Sequence, residues 1–340
     1  MSEAFYEMQR KLVKNRINAV NKGNIGLIDI GSSKVVCFIL HFVPEDEHGK
    51  SKLDAEKSQR TNAFRIIGAA TTRSRGVTAG AIKNMDEVEK AIRTVVQAAQ
   101  KMAAILLEDV LVSFSGGNPR SYGVSGSTKV SNKKVSVIDI GQALVNSDIP
   151  NYGTNREVIH ALPVNFSLDD RTGLIDPRGQ LGTDLVVDLH LMTVDKDVLY
   201  NIINAVSKCR LTLCGISFAP YVAGVSSLTE DEHQLGAACI DLGAGTSGVT
   251  IFLRKQMIYG GTVNLGGIQV TSDIMKAFNI SFEAAERIKN LHGGLISISR
   301  DDRDMIEIER PLHYSDDDRI LISRADLIAV IRPRIEEILE

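Results

Sequence analysis

Two stretches of this chain carry the residue types that bind phosphate. Asp241-Leu242-Gly243-Ala244-Gly245-Thr246-Ser247 lies between apolar runs at 237–240 and 249–253, which reads as strand, tight turn, strand. Its glycines let the turn backbone approach a ligand closely or take positive φ. Successive amide N–H groups in such a turn form an anion-binding nest, and the Thr246 and Ser247 hydroxyls add donors. Asp241 would repel a bare phosphate, so the pattern makes chemical sense with a hard cation such as Mg2+ between carboxylate and phosphate. Alone, the stretch reads equally as a β-hairpin with a flexible tip. A second copy shifts the balance: Asp29-Ile30-Gly31-Ser32-Ser33-Lys34 sits between apolar runs at 25–28 and 35–40. Two matching hairpins predict duplicated domains that clamp one nucleotide, with one loop from each and the metal between Asp29 and Asp241. The dinucleotide fingerprint is excluded because a strand, not a helix, follows each loop. Neither loop carries the Gly-Lys-Ser/Thr of a Walker loop.

Two further glycine stretches differ in kind. Val137-Ile138-Asp139-Ile140-Gly141 begins like a third copy, but Gln142-Ala143-Leu144-Val145-Asn146 follows, with neither a Ser/Thr pair nor a second glycine. It reads as a short helix over 139–145 with no ligand. Asn264-Leu265-Gly266-Gly267 opens a helix over 268–278, and the free amides of such a start favour phosphate.

The remaining elements must position these loops. Residues 1–23 are basic: Phe5, Met8, Leu12, Ile17 and Val20 fall on one helical face, with Arg10, Lys11, Lys14, Arg16 and Lys22 elsewhere. The preferred reading is a frayed, solvated leader; the other is a helix lying on an anionic membrane or a partner. Residues 44–62 are charged and almost without apolar side chains, hence an exposed loop. Strands are predicted over 64–72, 110–115, 122–130, 158–166, 185–194, 211–218 and 256–263, with Pro163 making 158–166 an edge. Helices are predicted over 86–102 with Asp86 as N-cap, over 195–209, over 219–228, after Ser281, and over 325–339 after Ser323 with an interruption at Pro333. Residues 75–80 and 167–182 read as loops, 229–233 as an acidic turn, and 296–312 as a charged strand.

The chain's 340 residues leave room for two domains. A net charge of −3 provides no basic field for nucleic acid, and no apolar stretch approaches the length of a membrane span. Cys37, Cys209, Cys214 and Cys239 sit in apolar runs without a CxxC pair, as buried reduced thiols of a cytoplasmic protein do. The histidines show no metal-ligand spacing.

Other stretches narrow the class. They are Ile66-Ile67-Gly68 with Ser74-Arg75-Gly76-Val77, His160-Ala161-Leu162-Pro163, Val187-Asp188-Leu189-His190-Leu191-Met192-Thr193, Leu228-Thr229-Glu230-Asp231-Glu232, and Val270-Thr271-Ser272-Asp273-Ile274. With the two hairpins, these resemble the FtsA family of bacterial cell-division proteins, within the actin, heat-shock-chaperone and sugar-kinase superfamily. The resemblance runs from about Gly26 to the end. It implies an α/β, actin-like nucleotide-binding fold, ribonuclease H-like and duplicated, with subdomains 1A, 1C, 2A and 2B. The expected division is an N-terminal extension (1–23), 1A (24–85 and 161–194), 1C inserted within it (86–160), 2A (195–258), 2B (259–322) and a return to 2A (323–340).

The resemblance implies ATP and Mg2+ held by Asp29, Gly31, Ser32, Ser33 and Lys34 of the first loop and by Asp241, Gly243, Ala244, Gly245, Thr246 and Ser247 of the second. Gly266 and Gly267 are expected to join them. Ala285-Glu286-Arg287-Ile288-Lys289 resembles the chaperone adenosine helix, which places Glu286 and Lys289 on the adenosine; a surface salt bridge at i, i+3 reads the same pair. Where the chaperones have a catalytic Glu-Pro, this chain has Ala219-Pro220. Alanine can neither orient a water nor take its proton, so no catalytic residue is nominated and at most weak ATPase activity is expected.

Members of the family polymerise into actin-like filaments, tether the FtsZ ring to the inner membrane and recruit later division proteins. The resemblance therefore implies self-association, contact of late division proteins with 1C, and capture of the FtsZ C-terminal tail by 2B, whose basic residues include Lys276, Arg287, Arg300 and Arg303. It implies a peripheral place on the cytoplasmic face of the inner membrane at the septum, reached only through a C-terminal amphipathic helix that this chain lacks, and no nucleic-acid partner. The family continues past the matched end, so the chain is expected to be truncated. The competing reading is an enzyme of the same fold, a sugar or acetate kinase or a chaperone-type ATPase. Asp169 or Asp170 would then be the base, and a solvated turn explains them as well.

Overall fold

The computed structural model describes residues 3–43, 63–309 and 319–340; the charged loop expected at 44–62 lies outside the described residues. The chain divides into two compact units, Met1–Asp241 with Gly248–Thr262, and Leu242–Ser247 with Val263–Glu340.

The first unit begins with α1 (Glu3–Lys22), β1 (Asn24–Ile30), β2 (Lys34–Val43), β3 (Ala63–Arg73), the two-residue strands β4 (Val77–Thr78) and β5 (Ala81–Ile82), α2 (Met85–Ala103) and β6 (Asp109–Phe114). It continues with β7 (Arg120–Lys129), α3 (Val137–Val145), β8 (Arg156–Leu168), β9 (Arg171–Leu174), β10 (Asp184–Asp195), α4 (Lys196–Lys208) and β11 (Thr212–Phe218). α5 (Ala219–Ser227), α6 (Glu230–Leu235), β12 (Ala237–Leu242), β13 (Ser247–Leu253) and β14 (Gln256–Val263) follow.

A five-stranded sheet of order β11-β6-β1-β2-β3 carries the first phosphate hairpin. β1 pairs antiparallel with β2 and parallel with β6. Side-chain parity sorts its two faces. Ile28, Ile30, Cys37 and Ile39 join the core with Val88, Ile92, Val95 and Ala99 of α2 and with Leu199 and Ile202 of α4. Ile25, Leu27, Leu40 and Phe42, of opposite parity, cluster with Ala19 of α1 and Cys214. α2 sits flush on β3: a Cβ at Gly68 would be 2.5 Å from the Ala99 carbonyl oxygen.

The leader is therefore not frayed. Leu12 and Ala19 are buried, Asn15 Nδ2 donates to the Leu213 carbonyl at 2.9 Å, and Lys22 Nζ reaches Asp109 at 2.8 Å and Glu108 at 2.9 Å. Sequence periodicity placed Ile17 with Leu12, but Ile17 faces outward.

A second, antiparallel sheet has the order β7-β10-β8-β9. Val124, Leu168, Leu185, Val187, Leu189 and Leu191 form its core with Ala143 of α3. β8 runs through position 160, where the insert was expected to end, and α2, expected inside that insert, packs on the first sheet. A segment without a phosphate loop is visible in sequence, but the β8–β10 pairing that closes it is not. β8 is flanked on both sides rather than an edge. Pro163 is tolerated because it sits at a bulge opposite Leu189, beyond the Phe166 and Leu168 positions that β9 pairs.

The second unit packs α7 (Gly267–Phe278), α8 (Phe282–His292) and α9 (Arg324–Leu339) against the hairpin of β15 (Met305–Glu309) and β16 (Arg319–Ser323). Its core includes Val270, Ile274, Ile288, Ile306, Ile322, Leu327 and Ile331.

Several local expectations change. Asn84, not Asp86, caps α2, its side chain accepting from the Asp86 and Glu87 amides at 3.1 and 3.2 Å. The acidic turn is a helix, α6, closed by a Thr229–Glu232 capping box. Within the loop expected at 167–182, Arg171–Leu174 is a strand, and within 296–312 the described strand is Met305–Glu309 alone. α9 runs unbroken through Pro333.

Candidate nucleotide-binding site

The first loop is closed by the Gly31 amide, which donates to the Lys34 carbonyl at 3.1 Å. A Cβ at Gly31 would stand 2.9 Å from that oxygen. The second loop repeats the turn: the Gly243 amide donates to the Thr246 carbonyl at 3.0 Å, and a Cβ there would meet it at 2.6 Å. Close approach, rather than positive φ, demands glycine at both positions. Each aspartate stands two residues before its glycine, in the strand that enters the turn.

Asp29 lies opposite Ser113 of parallel β6, and Ser113 Oγ donates to its carboxylate at 2.6 Å. Burial raises the Asp29 pKa, against the lowering effects of that hydrogen bond and of the Lys34 charge. Burial raises Asp241 as well, and the negative charge of Asp29 raises it further. The two carboxylates thus share one electrostatic environment, in which a divalent cation would relieve the burial and repulsion penalties together. An all-oxygen pair suits Mg2+. Among the described residues no group of three or more His, Cys, Asp or Glu could hold a metal by itself, and Mg2+ characteristically keeps its waters and leans on one or two carboxylates plus phosphate.

The loop is buttressed. Ser32 Oγ accepts from the Gly80 amide at 3.1 Å, and the Ser33 carbonyl accepts from Ser74 at 2.8 Å. A Cβ on Gly80 would lie 2.5 Å from the Gly116 backbone, so the β4–β5 hairpin is wedged between the first loop and the turn after β6. Lys34 is exposed. Ser113 and Gly80 were not nominated from sequence. Their only sign there is position, Ser113 near the end of a predicted strand and Gly80 in a glycine-punctuated loop.

In the second loop Thr246 and Ser247 are buried, and Ser247 Oγ donates to the Leu265 carbonyl at 2.9 Å. The amides of Gly267 and Ile268 donate to the Gly243 and Ala244 carbonyls at 3.0 and 2.8 Å, while Gly266 donates to Gln269 Oε1 at 2.9 Å. A Cβ at Gly266 would be 2.5 Å from the Gly243 carbonyl oxygen. The start of α7 thus spends these donors on the second loop and on its own cap. In the ligand-free chain these glycines serve close backbone packing.

Lys289 Nζ donates to Glu286 Oε2 at 2.7 Å, Thr271 Oγ1 at 2.8 Å and the Gly267 carbonyl at 3.2 Å. Burial pushes Glu286 up, but the hydrogen bonds from Lys289 and Thr271 outweigh it, and its pKa lies below the ordinary value. The pair ties α8 to the first turns of α7. Ala219 opens α5. Its neighbour Pro220 lies against β13, where a Cβ on Gly248 would be 2.3 Å from Pro220 Cγ and Thr250 Oγ1 donates to the Pro220 carbonyl at 3.2 Å. Asp139 of the third glycine stretch is a capping-box residue of α3, bonded to Ser131 and Ser136.

Matched phosphate hairpins, the first on a mixed sheet with helices on both faces and the second in the three-stranded sheet β12-β13-β14, are the mark of an actin-like protein, and this is the actin-like ATPase fold. In solved structures the chain is similar to the PilM–PilN type IV pilus biogenesis complex, with 14% identity, TM-score 0.53, and 78% of this chain and 69% of that chain covered. MreB5 of Spiroplasma citri bound to ADP gives 12% identity and TM-score 0.49 over 93% of this chain and 77% of that one. The family model "Cell division protein FtsA" matches residues 238–327, and "SHS2 domain inserted in FTSA" matches residues 116–193. The cell division protein FtsA of Agrobacterium fabrum is 35% identical over 317 residues, 93% of this chain and 70% of that protein. The chain belongs to the FtsA family of cell division proteins.

Proposed function

We propose that this chain binds Mg-ATP and acts as a nucleotide-switched scaffold of cell division, polymerising, holding the FtsZ ring at the inner membrane and recruiting later division proteins. The observation that carries the nucleotide reading is the paired aspartates: each precedes an identical glycine turn, and Asp29 acts electrostatically on Asp241. When bound, Mg2+ would supply charge neutralisation for the phosphates. Asp29 and Asp241 would hold it. The two loops, with Ser32, Ser33, Lys34, Ala244, Gly245 and Thr246, meet the phosphates, and Glu286 and Lys289 flank the adenosine. Ala219 leaves the α5 start without a base, so the nucleotide is kept rather than turned over quickly. By calorimetry, Asp241→Ala is expected to weaken Mg-ATP binding about tenfold, or about 1.4 kcal/mol; unchanged affinity overturns the assignment.

The FtsZ tail is proposed to bind within 259–322, steered by exposed Arg300 and Arg303. A labelled tail peptide should bind in fluorescence anisotropy with an affinity that falls as salt rises. Equal binding by Arg300→Glu/Arg303→Glu removes this contact. The sheet of β7, β10, β8 and β9 is proposed as the surface for self-assembly and late division proteins, and the cytoplasmic face of the inner membrane at the septum as the place of action.

A further inference from the structure

α1 is pinned on one face and bare on the other. Leu12, Ala19 and Asn15 hold it against the sheet, with Asn15 bonded to the Leu213 carbonyl. On the opposite side Val13 and Ile17, one helical turn apart, are 40% and 54% exposed. Arg10 and Lys14 flank this apolar strip on one side at the same spacing, and Arg16 flanks it on the other; all three are exposed. Among the described residues none forms an ion pair with Arg10, Lys14 or Arg16, whereas Lys22 at the helix end is bound to Glu108 and Asp109. These cations are concentrated on one helix of a chain whose net charge is −3.

We propose that the outer face of α1 lies on an anionic lipid surface, a contact independent of the nucleotide site. Val13 and Ile17 enter the boundary between headgroups and acyl chains, while Arg10, Lys14 and Arg16 extend their aliphatic stems along it and place their charges on lipid phosphates. Three features favour lipid over other occupants. The shallow recess on this face is lined by α1 alone, by Gln9, Arg10, Val13, Lys14, Ile17 and Asn18, so no second element walls it to grip a peptide helix. Its charge would repel a second copy of itself. Its inner contacts hold the strip and the cations in one fixed register, so little ordering is needed on binding.

The test is flotation of this chain with phosphatidylcholine vesicles, with and without phosphatidylglycerol. Binding is expected on the anionic vesicles alone, with release between roughly 0.1 and 1 M salt, where the screening length falls from about 10 to 3 Å. Arg10→Glu/Lys14→Glu should lower binding about tenfold, through two reversed lipid-facing charges. Val13→Ser/Ile17→Ser should lower it about threefold, through lost apolar burial. Both variants should keep the parent's thermal midpoint, since the altered side chains face away from the sheet. Failure of a folded chain to float with anionic vesicles overturns the proposal, as does equal binding by the charge-reversed variant. Equal binding by the apolar variant reduces the contact to counterion attraction and overturns insertion. Capture by polyglutamate without vesicle binding reassigns the face to an acidic protein.

Discussion

Three aspartates show how far a single residue can be read. Asp29, Asp139 and Asp241 each follow an apolar run and precede a glycine at the second position. What separates them in sequence is the next few residues, small and hydroxylic after Asp29 and Asp241, long and helix-forming after Asp139. In the folded chain the difference becomes electrostatic. Asp29 and Asp241 are pushed up by burial and, for Asp241, by its partner's charge, so at neutral pH their ionised forms oppose folding. Asp241→Asn should therefore raise the thermal midpoint of the nucleotide-free chain while weakening Mg-ATP; a lowered midpoint in calorimetric scans would contradict this. Asp139 is held well below the ordinary range by Ser136 and Ser131. A lowered acid pKa stabilises above the unfolded value, about 3.9, and that contribution is lost as pH falls through the folded value. Asp139→Ala should cost stability at pH 7, and the difference should shrink in strong acid. The Glu286–Lys289 ion pair was legible from its i, i+3 spacing, but the Lys289 bonds to Thr271 and the Gly267 carbonyl and the use of the Gly267 amide were not, because a donor's acceptor depends on which helix lies beside it.

Elements were read well where caps and periods agree. Ser281 and Ser323 cap α8 and α9 as their spacing indicates, each through a side-chain oxygen on the third following amide. The basic leader was misread because a helix that buries Leu12 and Ala19, with Met8 and Asn15 partly buried, looks too polar to dock. Its docking rests on a hydrogen bond and one ion-pair group as well as on apolar contact. Leu12→Ala should lower stability by about 2–5 kcal/mol in denaturant titration, the usual range for a buried leucine; a cost near zero would mean that α1 is not docked. Pro333 gives the opposite test. It withholds a helix hydrogen bond and crowds the preceding turn, typically about 3 kcal/mol, yet α9 continues, with Ile331, Ile335 and Ile338 packed in the second unit's core. Pro333→Ala should accordingly stabilise that unit by about 2–3 kcal/mol, visible as a higher denaturant midpoint.

Across the first unit, the two sheets meet at two histidines whose stretches carry the family resemblance but give them no role in sequence. His160 of β8 accepts from the Phe218 amide of β11 at 3.1 Å and lies against Tyr221. His190 of β10 is buried and has no hydrogen-bond partner among the described residues. Burial lowers both to about 4, with His190 adding to the effect on His160. Unfolded histidines titrate near 6.5, so below about pH 6.5 the unfolded chain binds protons that the native chain refuses, and stability falls until about pH 4. The thermal midpoint should drop across that window, and His190→Leu should flatten the drop; a profile unchanged by the substitution would remove His190 as the cause. The duplicated architecture was legible from the two hairpins, since a repeated pattern survives any arrangement of what surrounds it. The grouping of 120–195 into one sheet was not, because it depends on β8 and β10 finding each other across a turn-rich connection.

The docking of α1 also has a consequence in time. The helix leaves the ribosome before every strand of its sheet, but Leu213, which receives Asn15, lies in β11. About 190 residues must be made before that strand exists, which at ~5–20 residues per second is roughly 10–40 s of synthesis. Throughout that interval the basic helix has at most the β1–β2 pair to rest on, since β6 and β11 have not yet arrived. A segment made before its sheet is thus among the last to find its place, and until then it is exposed to whatever anionic surface the translating ribosome passes.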